Sequence, residues 1–330
     1  MIKLENKRYQ PSYIDNLGVA GAGWLAKQNV RIQGALLPEF MTDNSGLKDG
    51  SGTIINGPFS VFANGFEWDA AGVDSGVTVT DSLYGGIAQE AFDFFQTDKT
   101  KPIYATGVRI ESIRGIGRSP NTTGHAVLLE AIDGGYVGLA EGSTAIHGVV
   151  IKSRRIEADI LRGFNCGTDN VIVKSDYYAP MENVSINKIY ARGAGIGAST
   201  YGVYILAATA AGSKINIGTI ESSSSASGVF LASNHSTLSD VNIKEIVTDT
   251  TIQGVGFYGS IRSNIGVVIA RNSANGILAN GTMSANKNYV GLLEATNVSN
   301  AVNGYGYIDI GKVVTDNAND NSARRYYPSR

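Results

Sequence analysis

Short apolar runs with an alternating pattern recur along the chain, and in its middle part they align with one another. His125-Ala-Val-Leu-Leu-Glu130 aligns with His147-Gly-Val-Val-Ile-Lys152, which in turn aligns with Asp169-Asn-Val-Ile-Val-Lys174. The offset is 22 residues in both cases. A period of about 20–30 residues with strand-like segments is typical of a solenoid, in which each repeat stacks on the one before it. The pattern therefore predicts a ladder of parallel strands over residues 125–176.

Two strand patterns alternate through the rest of the chain. The first, V/I-x-I-x-x-I/V, occurs at residues 108–113, 184–189, 215–220 and 241–246, with looser copies at 265–269 and 308–313. The second, polar-Gly-apolar-x-apolar, occurs at residues 201–205, 227–231, 253–257, 275–278 and 303–307. Side chains alternate between the two faces of a strand, so the apolar positions would fill an interior while the intervening positions face outward. These patterns predict an all-β, single-stranded, right-handed parallel β-helix.

The repeats also predict the organisation of the chain. Residues 29–314 are predicted to form the β-helix, with an N-terminal cap over residues 1–28 and a polar C-terminal tail over residues 315–330. A cap is expected because the first coil would otherwise expose its core and its unpaired backbone. Residues 77–103 interrupt the repeats and predict a long excursion, in which residues 87–95 have the i, i+4 apolar spacing of a helix. Long excursions in compact folds are often functional.

Composition narrows the classes of partner. The 330 residues include 41 glycines and seven prolines, which favours many tight turns. The net charge is −2 and the charges are scattered, so we expect no nucleic-acid partner. Cys166 is the single cysteine, which agrees with folding in a reducing compartment. The N-terminal residues lack an apolar leader, no run of 18 apolar residues occurs, and we therefore expect no membrane insertion. Neither a metal nor an organic cofactor is predicted.

Four short strings resemble a known superfamily. They are Gly72-Val-Asp-Ser-Gly76, Gly86-Ile-Ala-Gln-Glu90, Gly148-Val-Val-Ile-Lys-Ser153 and Val171-Ile-Val-Lys-Ser-Asp176. With the repeats, which extend over about residues 29–313, they make the chain similar to the pectate-lyase-like β-helices and, more narrowly, to bacteriophage tailspikes. The resemblance implies a glycan depolymerase that forms a homotrimer in a phage virion tail. The missing leader agrees with a virion protein assembled inside the cell, or with a secreted bacterial protein whose leader has been removed.

The ends of the aligned runs carry the candidate chemistry. The polar residue before each run is His125, His147 or Asp169, and the residue five positions later is Glu130, Lys152 or Lys174. Later coils replace the first of these sets with uncharged residues, which are Tyr201, Ser227, Gln253, Asn275 and Asn303. Two lysines stacked about 4.8 Å apart repel each other unless an anion lies between them. We therefore predict an exposed ladder of Glu130, Lys152 and Lys174 that binds an acidic sugar.

A lyase mechanism would use the basic residues of this ladder. Lys152 or Lys174 would neutralise the carboxylate of a uronate, and His147 or a lysine would act as the base. His125 and Asp169 would help to bind the substrate.

A hydrolase mechanism would use two carboxylates. Glu130 and Asp176 lie two coils apart, which gives about 10 Å before side-chain reach and suits the wider separation of inverting enzymes, about 6.5–9.5 Å. Glu90, in the predicted excursion, would supply a further acid, and Tyr177 and Tyr178 would stack on sugar rings.

Several alternatives remain open at the level of sequence. The leading hypothesis is depolymerisation of an acidic polysaccharide of the bacterial surface. A non-catalytic glycan-binding adhesin or tail-fibre module would use the same face, and a sugar-modifying β-helix enzyme such as an epimerase is a third possibility. The histidines also suit ordinary corner residues, and the lysines suit ordinary surface charges.

Overall fold

The computed structural model gives only the backbone of short strands in the N-terminal part of the chain and gives side-chain burial as well in the rest. Between residues 1 and 94 it describes the backbone of short strands, and beyond them it describes residues 104, 106–117, 124–175, 181–194, 200–234, 236–280, 288–304 and 308–317. Every regular element among these residues is a β-strand. The all-β prediction is therefore confirmed.

The short N-terminal strands are β1 (Ile2–Lys3), β2 (Arg8–Tyr9), β3 (Trp24–Ala26), β4 (Arg31–Gln33), β5 (Thr53–Asn56), β6 (Phe59–Val61), β7 (Glu67–Asp69), β8 (Val77–Thr80) and β9 (Phe92–Phe94). The longer strands that follow are β10 (Arg109–Ile116), β11 (His125–Ser143), β12 (His147–Phe164), β13 (Asp169–Ser175), β14 (Met181–Arg192), β15 (Tyr201–Ala207) and β16 (Gly212–Ser223). The last strands are β17 (Ser227–Ser233), β18 (Leu238–Asp249), β19 (Gln253–Tyr258), β20 (Ile261–Arg271), β21 (Asn275–Asn280), β22 (Asn288–Thr296), β23 (Asn300–Gly304) and β24 (Ile308–Asp316).

All of these strands belong to one sheet whose recorded pairings are parallel and join one coil to the next. From β13 onward each strand pairs with the second strand after it, so that β13 pairs with β15 and β14 pairs with β16. Short strands therefore alternate with long strands, one of each per coil. In β11 and β12 both types lie within one continuous strand, which pairs along nearly its whole length. This arrangement is a parallel β-helix.

The core consists of inward-facing positions stacked from coil to coil. One such line runs through Ile186, Ile217, Ile243 and Ile265, which pair in register in consecutive coils and are almost completely buried. Ile186, Ile217 and Ile243 are the central apolar residues of the V/I-x-I-x-x-I/V pattern, and the register places Ile265, the first residue of the looser copy, on the same line. This stacking explains why the pattern repeats. Burial of apolar side chains stabilises by about 25 cal/mol per Å², and no coil can bury its inner face without its neighbours.

One corner of the β-helix uses a residue with positive φ in successive coils. The set is Thr144, Asn165, Gly193, Ser224, Thr250, Asn272, Asn297 and Asn317. The backbone N–H groups of Thr144 to Asn297 in this set donate to carbonyl oxygens of the next coil. Left-handed backbone is unfavourable for most residues but is tolerated by Gly and Asn. In the last coils Asn297 Nδ2 donates to Asn272 Oδ1 over 3.2 Å, and Asn317 Nδ2 donates to Asn297 Oδ1 over 3.3 Å.

This corner gives a first prediction. Asn297→Ala should lower the free energy of unfolding by about 1–2 kcal/mol, because alanine is strained at positive φ and breaks the amide ladder. Asn297→Gly should cost less, since glycine adopts this backbone freely. Urea unfolding of both variants measures the difference, and an alanine variant as stable as the glycine variant would contradict the strain argument.

The N-terminal part of the chain forms strands in regions that the sequence predicted as a helix and as a cap. The helix predicted over residues 87–95 is wrong at Phe92–Phe94, which form β9 and pair with β6 and β11. Strand pairing between coils outweighs the local helical spacing there. The strands β1 to β3 lie within the predicted cap and already pair with later strands.

The predicted alignment of Asn303 with Asn275 is also wrong. Asn300 pairs with Asn275, and Asn303 pairs with Leu278. Residues 303–304 also form a polar-Gly pair, and this pair led to the wrong alignment. Ala301 is buried and Asn300 pairs with Asn275. The true register therefore lies three residues earlier.

Candidate functional site

The predicted ladder of polar residues exists in the predicted order. His125 pairs with His147, His147 with Asp169, and Asp169 with Tyr201, each one coil further along. The line continues through Ser227 and later coils. Successive members of such a line lie about 4.8 Å apart. The sequence alignment therefore places two histidines, a carboxylate and a tyrosine side by side along one corner.

His147 and Asp169 form the most specific contact of this line. His147 Nδ1 lies 3.0 Å from Asp169 Oδ2 and 3.0 Å from Thr168 Oγ1. The Thr168 hydroxyl donates to the carbonyl of Ile146 over 2.9 Å, so it can only accept from the ring. Both neighbours therefore favour a proton on Nδ1. In the neutral tautomer this leaves Nε2 as a proton acceptor.

Asp169 is itself held firmly. Its side chain is 7% exposed, and Oδ1 accepts the backbone N–H of Tyr201 over 3.1 Å. The two carboxylate oxygens thus have separate partners, one on the imidazole and one on the next coil. This orients the His147 ring, whose side chain is 26% exposed. His125 packs against it edge-on, with ring centroids 5.3 Å apart.

Next to this corner lies an aromatic cluster that the sequence interpretation missed. The rings of Tyr201 and Phe230 are stacked, with centroids 4.7 Å apart and an interplanar angle of 8°. Tyr204 contacts both, at 4.6 Å from Tyr201 and 5.8 Å from Phe230. Tyr204 and Phe230 pair in register and occupy the outward position of the polar-Gly-apolar-x-apolar pattern. An aromatic residue at that x position in two consecutive coils was the available clue.

Burial of the two tyrosines of the cluster affects the ionisation of their hydroxyl groups. Desolvation is the largest cause that raises the pKa of the Tyr201 and Tyr204 hydroxyls. Both tyrosines therefore stay neutral and act as hydrogen-bonding, stackable rings. All three aromatic side chains remain partly exposed, which is the condition for contact with a ligand.

The predicted exposed ladder of Glu130, Lys152 and Lys174 is corrected by the structure. Glu130 and Lys152 pair in register, and Lys152 Nζ lies 3.6 Å from Glu130 Oε1 with side-chain exposures of 16% and 3%. This is a largely buried ion pair. The pairing of β12 with β13 ends at Ile151, whereas Lys174 is half-buried and pairs with Leu206 in the next coil.

Outward apolar positions of the same strands are buried as well. Val150 was expected to face solvent, but it is 1% exposed and packs in a cluster with Leu128, Ile172 and Tyr204, apart from the main core. Apolar side chains at consecutive outward positions thus cover one another. The burial of Glu130 favours a structural ion pair over contact with sugar, and its predicted catalytic role loses support.

Four predicted site residues lie outside the described residues. They are Glu90, Asp176, Tyr177 and Tyr178. Their roles as acids or as stacking residues stay predictions.

Comparisons with protein families, with characterised proteins and with solved structures found no match. Within the described part of the chain, no helix has the length and hydropathy that a membrane span requires. The same residues contain no group of three or more His, Cys, Asp or Glu side chains arranged to hold a metal ion.

Proposed function

We propose that this protein depolymerises an acidic polysaccharide of the bacterial surface, which binds along one face of the β-helix. We call this surface the ladder face and define it by the side chains of His125, His147, Asp169, Tyr201, Tyr204 and Phe230. Aromatic rings give a large contact area for the apolar faces of sugar rings. The imidazoles and the buried carboxylate of Asp169 lie directly beside them.

The contact between His147 and Asp169 carries the proposal. A base is required to remove the proton on the carbon next to a uronate carboxylate, and a neutral imidazole with Nδ1 held by a carboxylate is suited to that task. In β-elimination the C5 proton moves to His147 Nε2, the C5–H electrons form the C4=C5 double bond, and the C4–O bond breaks. The departing sugar oxygen takes a proton from water and becomes a hydroxyl, and the hydroxide left behind takes the proton from His147 and restores the neutral imidazole.

This geometry favours elimination over hydrolysis through Glu130. A hydrolase needs two carboxyl groups that reach the glycosidic bond, and Glu130 is buried against Lys152. Lys174 stays the proposed cation that faces the uronate carboxylate, and His125 stays a proposed substrate-binding residue.

Glycan binding without cleavage is the second candidate function. The stacked rings of Tyr201 and Phe230 favour it, because stacking on sugar needs no catalytic group. Incubating the protein with acidic capsular polysaccharides and following chain length by gel filtration separates the two. Shortening supports depolymerisation, whereas stable binding of chains of unchanged length supports an adhesin.

The aromatic cluster gives a second prediction. Phe230→Ala should weaken binding of the acidic polysaccharide about tenfold, because it removes one ring and leaves the Tyr201 ring without its stacking partner; such pairs contribute about 0.5–1.5 kcal/mol beyond their buried area. Tyr289→Ala is the matched control, since Tyr289 is 47% exposed and lies on the long-strand side. Isothermal titration calorimetry gives both affinities. Equal losses in the two variants would rule out the cluster as the binding surface.

The resemblance to phage tailspikes supports the proposal of a homotrimer in a virion tail, with a secreted bacterial protein as the alternative. Sedimentation equilibrium of the purified protein tests the trimer. A monomer at all concentrations would reject it.

A further inference from the structure

The long strands carry an open groove that is separate from the ladder face. It has a volume of about 560 Å³ and crosses several coils. The lining residues used below are Glu157, Asp159, Asn216, Asn242, Lys244 and Asn264. None of them belongs to the polar ladder of the short strands. The groove is therefore a second surface with its own chemistry.

Three asparagines line the groove in consecutive coils. Asn216, Asn242 and Asn264 pair in register in consecutive coils, so their amides repeat about every 4.8 Å along the axis. Gly218 and Gly266 line the groove beside them. A side chain at Gly218 or Gly266 would meet backbone atoms of Asn187 or Lys244 in the preceding coil, so the two glycines let successive coils pack closely along the groove.

The amides retain hydrogen-bonding capacity. Asn242 Nδ2 donates to Asn216 Oδ1 over 3.1 Å, which leaves the Asn216 amide protons and the Asn242 carbonyl oxygen for a ligand. Among the described residues Asn264 has no side-chain hydrogen bond. An array that both donates and accepts suits hydroxyl groups, which also do both.

Charged residues in the groove limit what can enter. Glu157 and Asp159 lie at one end, in the coil before Ser185, and Lys244 lies in a later coil. Tyr136 donates to Asp159 Oδ2 over 2.7 Å, and this bond is the main cause that raises the pKa of Tyr136 to about 12. Asp159 is thus fixed as a hydrogen-bond acceptor. Two carboxylates accept from sugar hydroxyls but repel an anionic chain.

We propose that this groove binds an extended, uncharged polyhydroxylated chain, a neutral glycan, along the axis of the β-helix. The three amides form hydrogen bonds with hydroxyl groups of the chain in successive coils. At one end, the carboxylates of Glu157 and Asp159 accept hydrogen bonds from further hydroxyl groups. This site is independent of the proposed cleavage at the ladder face. The protein would then hold a neutral chain on one side and act on an acidic chain on the other.

The test uses three neutral linear probes, which are cellohexaose, maltohexaose and chitohexaose. Isothermal titration calorimetry is run on the native protein, on Asn264→Ala alone, and on the triple variant Asn216→Ala, Asn242→Ala, Asn264→Ala. Asn303→Ala is the matched control, because Asn303 is exposed and pairs with Leu278 of a short strand. His147→Gln separates this site from the proposed lyase centre. Thermal unfolding checks that each variant is folded.

The native protein should bind at least one probe. The triple variant should bind it at least tenfold more weakly, Asn264→Ala should lose affinity in the same direction, and Asn303→Ala and His147→Gln should bind it like the native protein. The proposal is overturned if no probe binds, or if Asn264→Ala binds as the native protein does. Loss of the same affinity in Asn303→Ala or His147→Gln also overturns it, because the probe would then lie on the ladder face.

Discussion

Replacing His147 with glutamine is expected to lower the rate of polysaccharide cleavage by about 10²–10⁴-fold, the usual contribution of a general base. Glutamine retains a polar group that can still donate to Asp169 and Thr168, but it cannot take a proton from carbon. The contacts of His147 Nδ1 at 3.0 Å with both neighbours mean that the ring is oriented before substrate binds. Binding of the polysaccharide should change little.

Two further variants sharpen this experiment. Asp169→Asn should also slow cleavage, because an amide at that position no longer fixes the proton on His147 Nδ1. Gln253→Ala is the control, since Gln253 lies on the same line of the β-helix two coils beyond Tyr201. Rates come from the initial increase in reducing ends. A His147→Gln variant that cleaves as fast as the native protein would remove the proposed base.

Replacing Leu129 with alanine is expected to lower the free energy of unfolding by about 2–5 kcal/mol, because a large side chain is lost from a packed interior. Leu129 is completely buried in the main core and lies between Phe94 and Ile151 of the neighbouring coils. The cavity would open in the middle of the coil stack, where neighbouring backbones are fixed by ladder hydrogen bonds and cannot close it.

Leu278→Ala is the matched control for this prediction. Leu278 occupies an outward position of a short strand and is only partly buried, so its loss should cost less than about 1 kcal/mol, within the range of surface substitutions. Guanidinium unfolding of both variants compares them directly. Similar costs at the two positions would contradict the division between inward and outward positions.

Much of the β-helix could be predicted from the sequence, because a parallel stack repeats its side-chain pattern in register. The 22-residue offsets correspond to the pairing of His125 with His147 and of His147 with Asp169. Prediction was wrong where a local pattern competes with the stack. Asn303 is followed by glycine like the true ladder residues, and only the burial of Ala301 and the pairing of Asn300 identify the register.

The candidate site could be predicted only in part. His147 and Asp169 were expected side by side because register alone places them there. The burial of Glu130 could not be foreseen, since the alternating pattern places it at an outward position, and such positions were expected to face solvent. The stacking of Tyr201 on Phe230 needed ring orientations, which a sequence pattern does not contain.

The chemistry at the new chain ends tests the central claim most directly. Native protein is incubated with a uronate-containing capsular polysaccharide, and NMR counts C4=C5 double bonds and new reducing ends in the same sample. Elimination with His147 as the base predicts one double bond for every new reducing end. Reducing ends without double bonds, or a polysaccharide that stays intact, would contradict the proposal.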